Sequence, residues 1–372
     1  MSRQQRQELM GRVRSVVVKL GSNVLAGDDG LLDEAQIRRI ADQVVALEDR
    51  GLRVVIVSSG AIAAGIGELD LDGRPDALPQ LQACASVGQS KLMRMFDEAL
   101  RPHGRHAAQI LLVRDDVEDR TRYLNIRNCI AALQQYGAVP VVNENDTVSV
   151  DEIRFGENDL LAAMVTNLLR ADLLVLLTTV DGVFRDAART DRFDVVDDMA
   201  EVKAAADPTR SSLGTGGMPT KLEAAGMVVA AGEMAAIADG RRPDVLTDLV
   251  SGEPVGTLFV PKAQKMKARD RWIGLTRRPR GTIRIDAGAA KAVRARKSLL
   301  ASGISAIEGD FAQGDVVAIV GPDGKTVAQG LVNYGAADLG KIKGLKSSRF
   351  AAVLGEKTYD EVIHADNLVL TV

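Results

Sequence analysis

Five short runs of β-branched and leucine residues recur along the first half of the chain: Val16-Val17-Val18, Val54-Val55-Ile56-Val57, Ile110-Leu111-Leu112-Val113, Val139-Pro140-Val141-Val142 and Leu173-Leu174-Val175-Leu176-Leu177. None alternates with polar residues, as a strand with one wet face would. Such runs suit parallel strands covered on both faces. Between them the apolar spacing becomes helical, near 34–49, 78–101, 121–136, 158–170 and 220–238. Parallel strands need long crossovers, which helices of this length provide. The pattern predicts an α/β fold, a three-layer αβα sandwich around a mostly parallel sheet, with ligands at the carboxyl ends of the strands.

After Pro261 the texture changes. Thr282–Asp286, Asp315–Val320 and Leu368–Val372 read as short strands, with turn signals at Gly281, Gly309, Gly314 and Pro322-Asp323-Gly324. The charge changes with it. Up to Pro261 the chain carries 28 Lys and Arg against 39 Asp and Glu, and beyond it 19 against 11. Lys262, Lys265, Lys267, Arg269, Arg271, Arg277, Arg278 and Arg280 hold much of the excess. Such a run reads first as a solvated linker or helix face, and second as a contact for nucleic acid or an acidic partner. At 372 residues, more than one domain is expected. The division predicted is a larger domain over 1–261, a basic linker over 262–280 and a small β-rich domain over 281–372.

The polar start shows no signal-peptide pattern, and no apolar run reaches the roughly 20 residues that span a bilayer. Cys84 and Cys129 are isolated, which points to neither a disulfide framework nor a zinc site. A cytoplasmic location, with no membrane partner, is the expectation.

The residues able to carry chemistry fall after the strands. Gly214-Thr215-Gly216-Gly217-Met218-Pro219-Thr220-Lys221 sets a glycine loop, a proline and a lysine at the mouth of a helix. Glycines let backbone N–H groups approach an anion, and the helix dipole is positive at that end, so the stretch reads as a phosphate cradle. It is not the GxxxxGK[ST] spacing of P-loop enzymes. Lys19-Leu20-Gly21-Ser22 follows the first strand; alone, its lysine reads as a surface residue before a turn. Ser58-Ser59-Gly60 leaves the second strand, and Thr178-Thr179 leaves the fifth. Asn143-Glu144-Asn145-Asp146 places four polar side chains where a turn needs one. Phe155-Gly156-Glu157-Asn158-Asp159 opens a helix with two acids, of which capping explains one. Phosphoryl transfer is mostly positioning and charge stabilisation, so lysines and backbone N–H groups should dominate such a site. Lys19 and Lys221 are the candidate cations and Asp159 the acid that orients them. No histidine lies in a motif, and a carboxylate acceptor, ionised near neutrality, needs no general base.

Read in order, these motifs resemble the amino acid kinase family: VVKLGSNVL at 17–25, VSSGAIAAG at 57–65, NEND at 143–146, FGENDLLAA at 155–163, LLTTVDGVF at 176–184 and GTGGMPTKLEAA at 214–225. The tail, with KSLLASGI at 297–304 and EGDFAQGDVV at 308–317, resembles a PUA domain. The resemblance implies phosphorylation of the γ-carboxylate of L-glutamate by ATP with Mg²⁺, the opening step of proline synthesis, with proline as feedback inhibitor. It further implies a homo-oligomer, dimer or tetramer, and hand-over of product to glutamate-5-semialdehyde dehydrogenase. Carried over by motif, Lys19, Lys221 and Asp159 are catalytic, and Ser59, Asp146 and Asn158 hold glutamate. Lys19, Thr178, Thr179, Thr215, Gly216, Gly217, Met218, Pro219, Thr220 and Lys221 hold ATP. Thr179 stands where relatives often carry aspartate, and no metal ligand is assigned. Acetylglutamate kinase and aspartokinase types share the nucleotide half; the 143–146 and 156–159 motifs with the PUA-like tail separate this chain from them. The basic linker and tail also fit an RNA-binding protein, although aromatic residues for base stacking are scarce.

Overall fold

The computed structural model describes residues 1–27, 30–148, 158–186, 188–205, 217–262, 265–276, 278–356 and 358–371. They form two compact units, Met1–Lys265 and Met266–Val372. In the first unit the strands are β1 (Ser15–Leu20), β2 (Arg53–Val57), β3 (His106–Leu112), β4 (Ala138–Glu144), β5 (Leu173–Thr178), β6 (Val195–Val196), β7 (Met234–Asp239) and β8 (Thr257–Phe259). They make one eight-stranded sheet in the order β3-β4-β2-β1-β5-β7-β8-β6. Strands β1 to β5 and β7 pair in parallel, and β8 turns back antiparallel to β7. The strand order reverses at β1, flanked by β2 and β5, and a doubly wound sheet binds its ligands over the carboxyl end of the strands at such a point.

The sheet's parity decides which side chains enter that crevice. Val16, Val18 and Leu20 join the core formed with the helices Glu34–Asp49 and Leu78–Leu100. Val17 and Lys19 therefore point to the opposite face, where the helix Asn158–Leu169 packs on β1 and on the helix Met218–Ala230. Lys19 is thus committed to the interior by its place in a fully buried strand.

One crossing in this unit is unusually close. The helix Ala61–Glu68 meets the helix Leu78–Leu100 through glycines: a Cβ on Gly88 would lie 1.9 Å from the Ala61 carbonyl oxygen, and one on Gly65 would lie 1.8 Å from that of Cys84. Both obstacles are backbone and cannot rotate away. Gly88→Ala is expected to cost about 3 kcal/mol, the upper end for overpacking, read as a lower urea midpoint at unchanged slope. An unchanged midpoint would show that the two helices can separate freely.

Three sequence expectations change. The helix expected over 220–238 ends at Ala230, after which Gly232 takes a left-handed φ of 85° and Met234–Asp239 becomes β7. The Ala-rich composition of that run suits a helix, but the slot between β5 and β8 requires a strand, and small side chains fill it without crowding. Ile110–Val113 was expected to be covered on both faces. Strand β3 is instead the sheet's edge, starts at His106, and leaves Leu111 38% exposed. The run Leu173–Leu177, the fifth and last of the runs read as strands in this part of the chain, is followed by three more strands of the same sheet, β6, β7 and β8, and lies between β1 and β7.

In the second unit β9 (Gly281–Ile285), β10 (Ile304–Gly309), β11 (Val316–Val320), β12 (Thr326–Leu331) and β13 (Leu368–Leu370) form a five-stranded sheet, β10-β9-β11-β12-β13. Gly281 lies in β9 rather than in a turn: a Cβ there would strike Phe311 and the Glu308 carbonyl. Part of the basic run is built into this unit. Residues Ala268–Arg271 and Trp272–Thr276 are helical, Arg271, Trp272 and Ile273 are buried, and Gly274 packs on Val369. A solvated linker does not describe these residues, because apolar Trp272 and Ile273 carry the adjoining Arg271 inward. Among the described residues, no helix is long and apolar enough to cross a membrane.

Candidate active site

Three residues distant in sequence meet over the carboxyl end of β1. Lys19 comes from the strand itself, Asp159 from the first turn of the Asn158–Leu169 helix, and Lys221 from the first turn of the Met218–Ala230 helix. Asp159 Oδ1 lies 2.7 Å from Lys19 Nζ and Asp159 Oδ2 lies 3.0 Å from Lys221 Nζ. Asp159 is fully buried, and each lysine is only 5% exposed. The Thr220 hydroxyl is within donating distance of Asp159 Oδ2, 3.0 Å, and of the Gly217 carbonyl, 2.8 Å. A hydroxyl has one proton, so it serves one acceptor at a time.

Lys19, Lys221 and Asp159 set two cations against one anion in a desolvated place. Burial, and then the neighbouring Lys221, push the Lys19 ammonium below the ordinary lysine range despite the attraction of Asp159. Burial acts on the Asp159 carboxyl in the opposite sense, but the two lysines outweigh it and hold the group below the usual carboxylate range. Such a cluster is built to receive a further anion.

The N-terminus of the Met218–Ala230 helix adjoins this cluster. Gly217 occupies the N-cap position of the Met218–Ala230 helix with no side chain capping it, and proline stands within the first two positions. Its leading N–H groups are therefore not satisfied by a side-chain cap. Met218, Pro219 and Thr220 begin that first turn, ahead of Lys221. Thr215 and Gly216 lie outside the described residues, as do Phe155, Gly156 and Glu157. Thr178 ends β5, half-buried and in register with Asp239, and Thr179 follows it exposed.

A second polar cluster borders the first. Asn158 Nδ2 donates to Ser59 Oγ at 2.9 Å, to the Ser58 carbonyl at 3.3 Å and to Asn143 Oδ1 at 3.4 Å. Asn143 Oδ1 also accepts from the Glu144 N–H at 2.9 Å, while Asn143 Nδ2 donates to Gln89 Oε1 at 2.8 Å. Gly60, with a left-handed φ of 98°, turns the chain from Ser59 into the Ala61–Glu68 helix. The structure thus brings Ser59 and Asn158 together. It places Asp146 in the turn after β4, where it lines a pocket of about 260 Å³ with Gln89, Glu144 and Thr147. Gln89 and the bridging part of Asn143 were not foreseen. A signal for Gln89 existed: it is a polar residue on the apolar face marked by Leu81, Cys84, Ala85 and Leu92.

Two lysines bridged by one carboxylate at a helix N-terminus, over the carboxyl end of the strand where the sheet order reverses, are the kind of arrangement that a phosphoryl-transferring enzyme needs. Residues 14–238 match the amino acid kinase family and residues 281–354 match the PUA domain. The chain belongs to the amino acid kinase family. It is 45% identical over 371 residues to the glutamate 5-kinase of Syntrophus aciditrophicus, covering 98% of this chain and 96% of the relative. The enzyme of the same name from Syntrophotalea carbinolica is 46% identical over 371 residues, at 98% and 99% coverage, and that of Pseudomonas putida is 45% identical over 360, at 95% and 97%. With these relatives matched along nearly their full length, its place within the family is among the glutamate 5-kinases.

Proposed function

We propose that the chain transfers the γ-phosphoryl group of ATP to the γ-carboxylate of L-glutamate, giving L-glutamyl 5-phosphate and ADP, the first step of proline biosynthesis. The observation that carries this reading is Asp159 held between Lys19 and Lys221 at an uncapped helix end. A carboxylate attacking a γ-phosphate brings two anions together. Lys19 and Lys221 offset that repulsion and the charge that spreads over the transferring oxygens. Asp159 keeps the two ammonium groups aimed before substrate arrives, so little reorganisation is left for the reaction itself.

In this reading residues 1–261 hold both substrates and 281–372 form the PUA-like domain. Thr178, Thr179 and residues 215–221 receive ATP, while Ser59, Asp146 and Asn158 receive glutamate. Mg²⁺ enters on the nucleotide's phosphates: it is commonly bound by substrate phosphates and water with few protein ligands, and no group of three or more His, Cys, Asp or Glu among the described residues is placed to hold a metal. Proline is the feedback inhibitor, the enzyme works as a cytoplasmic homo-oligomer, and the acyl phosphate passes to glutamate-5-semialdehyde dehydrogenase.

The test is ADP release with Mg²⁺-ATP and, separately, L-glutamate, N-acetyl-L-glutamate, L-aspartate or carbamate, with hydroxylamine as acyl-phosphate trap. Glutamate-dependent turnover with hydroxamate formation is expected. Turnover with another acceptor alone would keep the kinase and reassign its acceptor pocket.

The lowered Lys19 value gives a pH dependence with a definite sign. As pH rises through it, the free site loses a positive charge, so kcat/KM for ATP is expected to fall at a pH below the ordinary lysine value of about 10.4. Bound phosphates favour the charged ammonium, so the alkaline limb of kcat should lie at higher pH. Coincident limbs in the two profiles would mean that Lys19 is not the group titrating.

A further inference from the structure

We propose that Gln89 is a positioning residue for the acceptor site, holding Asn143 in the place from which it orients the Asn158 amide. This rests on the reading of the site as a glutamate kinase. The polarity of the amide chain is set at one end by the backbone. The Glu144 N–H can only donate, so the Asn143 atom it meets at 2.9 Å is Oδ1. Asn143 Nδ2 must then find an acceptor, which is Gln89 Oε1 at 2.8 Å. With Asn143 Oδ1 facing Asn158, the Asn158 atom turned to it, and to the Ser58 carbonyl, is Nδ2. Asn158 Oδ1 is left buried and without a partner among the described residues. A buried lone carbonyl oxygen beside the proposed glutamate site is an acceptor waiting for a donor, and the α-ammonium of an amino acid is one.

Gln89 is well placed to hold this order. It is 8% exposed and follows Gly88, whose close crossing with Ala61 ties it to the Ser59-Gly60 turn. Its own Nε2 has no partner among the described residues, so its oxygen is the atom in use. Removing that oxygen strands Asn143 Nδ2 in the interior. Asn143, still held by the Glu144 N–H, is then drawn toward another acceptor for its Nδ2, and its contact with Asn158 Nδ2, already long at 3.4 Å, loosens and lets the Asn158 oxygen turn from the ligand.

The experiment compares Gln89→Met with Gln89→Glu by steady-state kinetics on the full chain. Methionine keeps the volume and loses the acceptor; glutamate keeps an acceptor oxygen in place of the unpartnered nitrogen, at the cost of a carboxylate beside Glu144 and Asp146. Gln89→Met is expected to raise KM for L-glutamate about 10- to 100-fold, the worth of one hydrogen bond to a charged group, with KM for ATP and kcat within about threefold by the same arithmetic. Gln89→Glu is expected to recover most of that KM change, and Gln89→Leu takes the place of the methionine variant in the comparison if that variant does not fold. Equal KM changes in both variants, or changes shared by ATP, would overturn the proposal while leaving the glutamate kinase reading intact. A wild-type protein that turns over no glutamate would overturn both.

Discussion

Asp159→Asn leaves two ammonium groups facing each other in the interior with no anion between them, and it is expected to be the most damaging single change in the site. Asp159 is fully buried and contacts both Nζ atoms. Breaking a buried ion pair by removing one partner costs about 3–5 kcal/mol, because the remaining charge is neither solvated nor paired. Part of that loss is avoided by deprotonating one lysine, and Lys19, already pushed down by burial, is the one to yield. Turnover should fall with it, since a neutral amine cannot offset the charge of a phosphoryl group. The stability loss has a signature. ATP phosphates replace the missing negative charge, so the variant's thermal midpoint should rise more on adding Mg²⁺-ATP than the wild type's. A variant as stable as wild type without nucleotide would show that the lysines do not depend on Asp159.

Lys221→Ala is the second large effect, and it divides differently between folding and catalysis. Asp159 keeps Lys19 at 2.7 Å and the Thr220 hydroxyl at 3.0 Å, so no charge is stranded and the fold should survive. The missing charge matters when the phosphoryl group is in flight. Removing one preorganised donor of this kind costs about 100- to 1000-fold in kcat. KM for glutamate should barely move, because the acceptor cluster around Asn158 is built from other residues. Near-normal kcat in a folded variant would remove Lys221 from the catalytic role.

The strands were largely legible because their evidence is local. Ser15–Leu20 and Leu173–Thr178 announce themselves by continuous apolar runs, and the Asn158–Leu169 and Leu78–Leu100 helices by their apolar spacing. Met234–Asp239 failed for the same reason: its alanines carry no strand signal, and the sheet on either side imposed the conformation. The residues proposed as catalytic stand in motifs after strands and at helix starts, while their burial was not legible. Lys19 alone reads as a surface residue, and only the helix packed over β1 makes it an interior cation. Gln89 lacked a motif altogether, since its use depends on meeting Asn143 from another element.

By itself, then, the order of residues determined the strand-helix alternation, the change to a β-rich tail and which side chains stand at the ends of strands, because these depend on neighbours within a turn or two of chain. The tertiary structure alone decided that Lys19, Asp159 and Lys221 share one dry cluster and that the amides of Gln89, Asn143 and Asn158 face one way. Both arrangements rest on charges and hydrogen bonds between distant segments. Such interactions gain their strength only after the crossovers have brought the groups together and excluded water from around them.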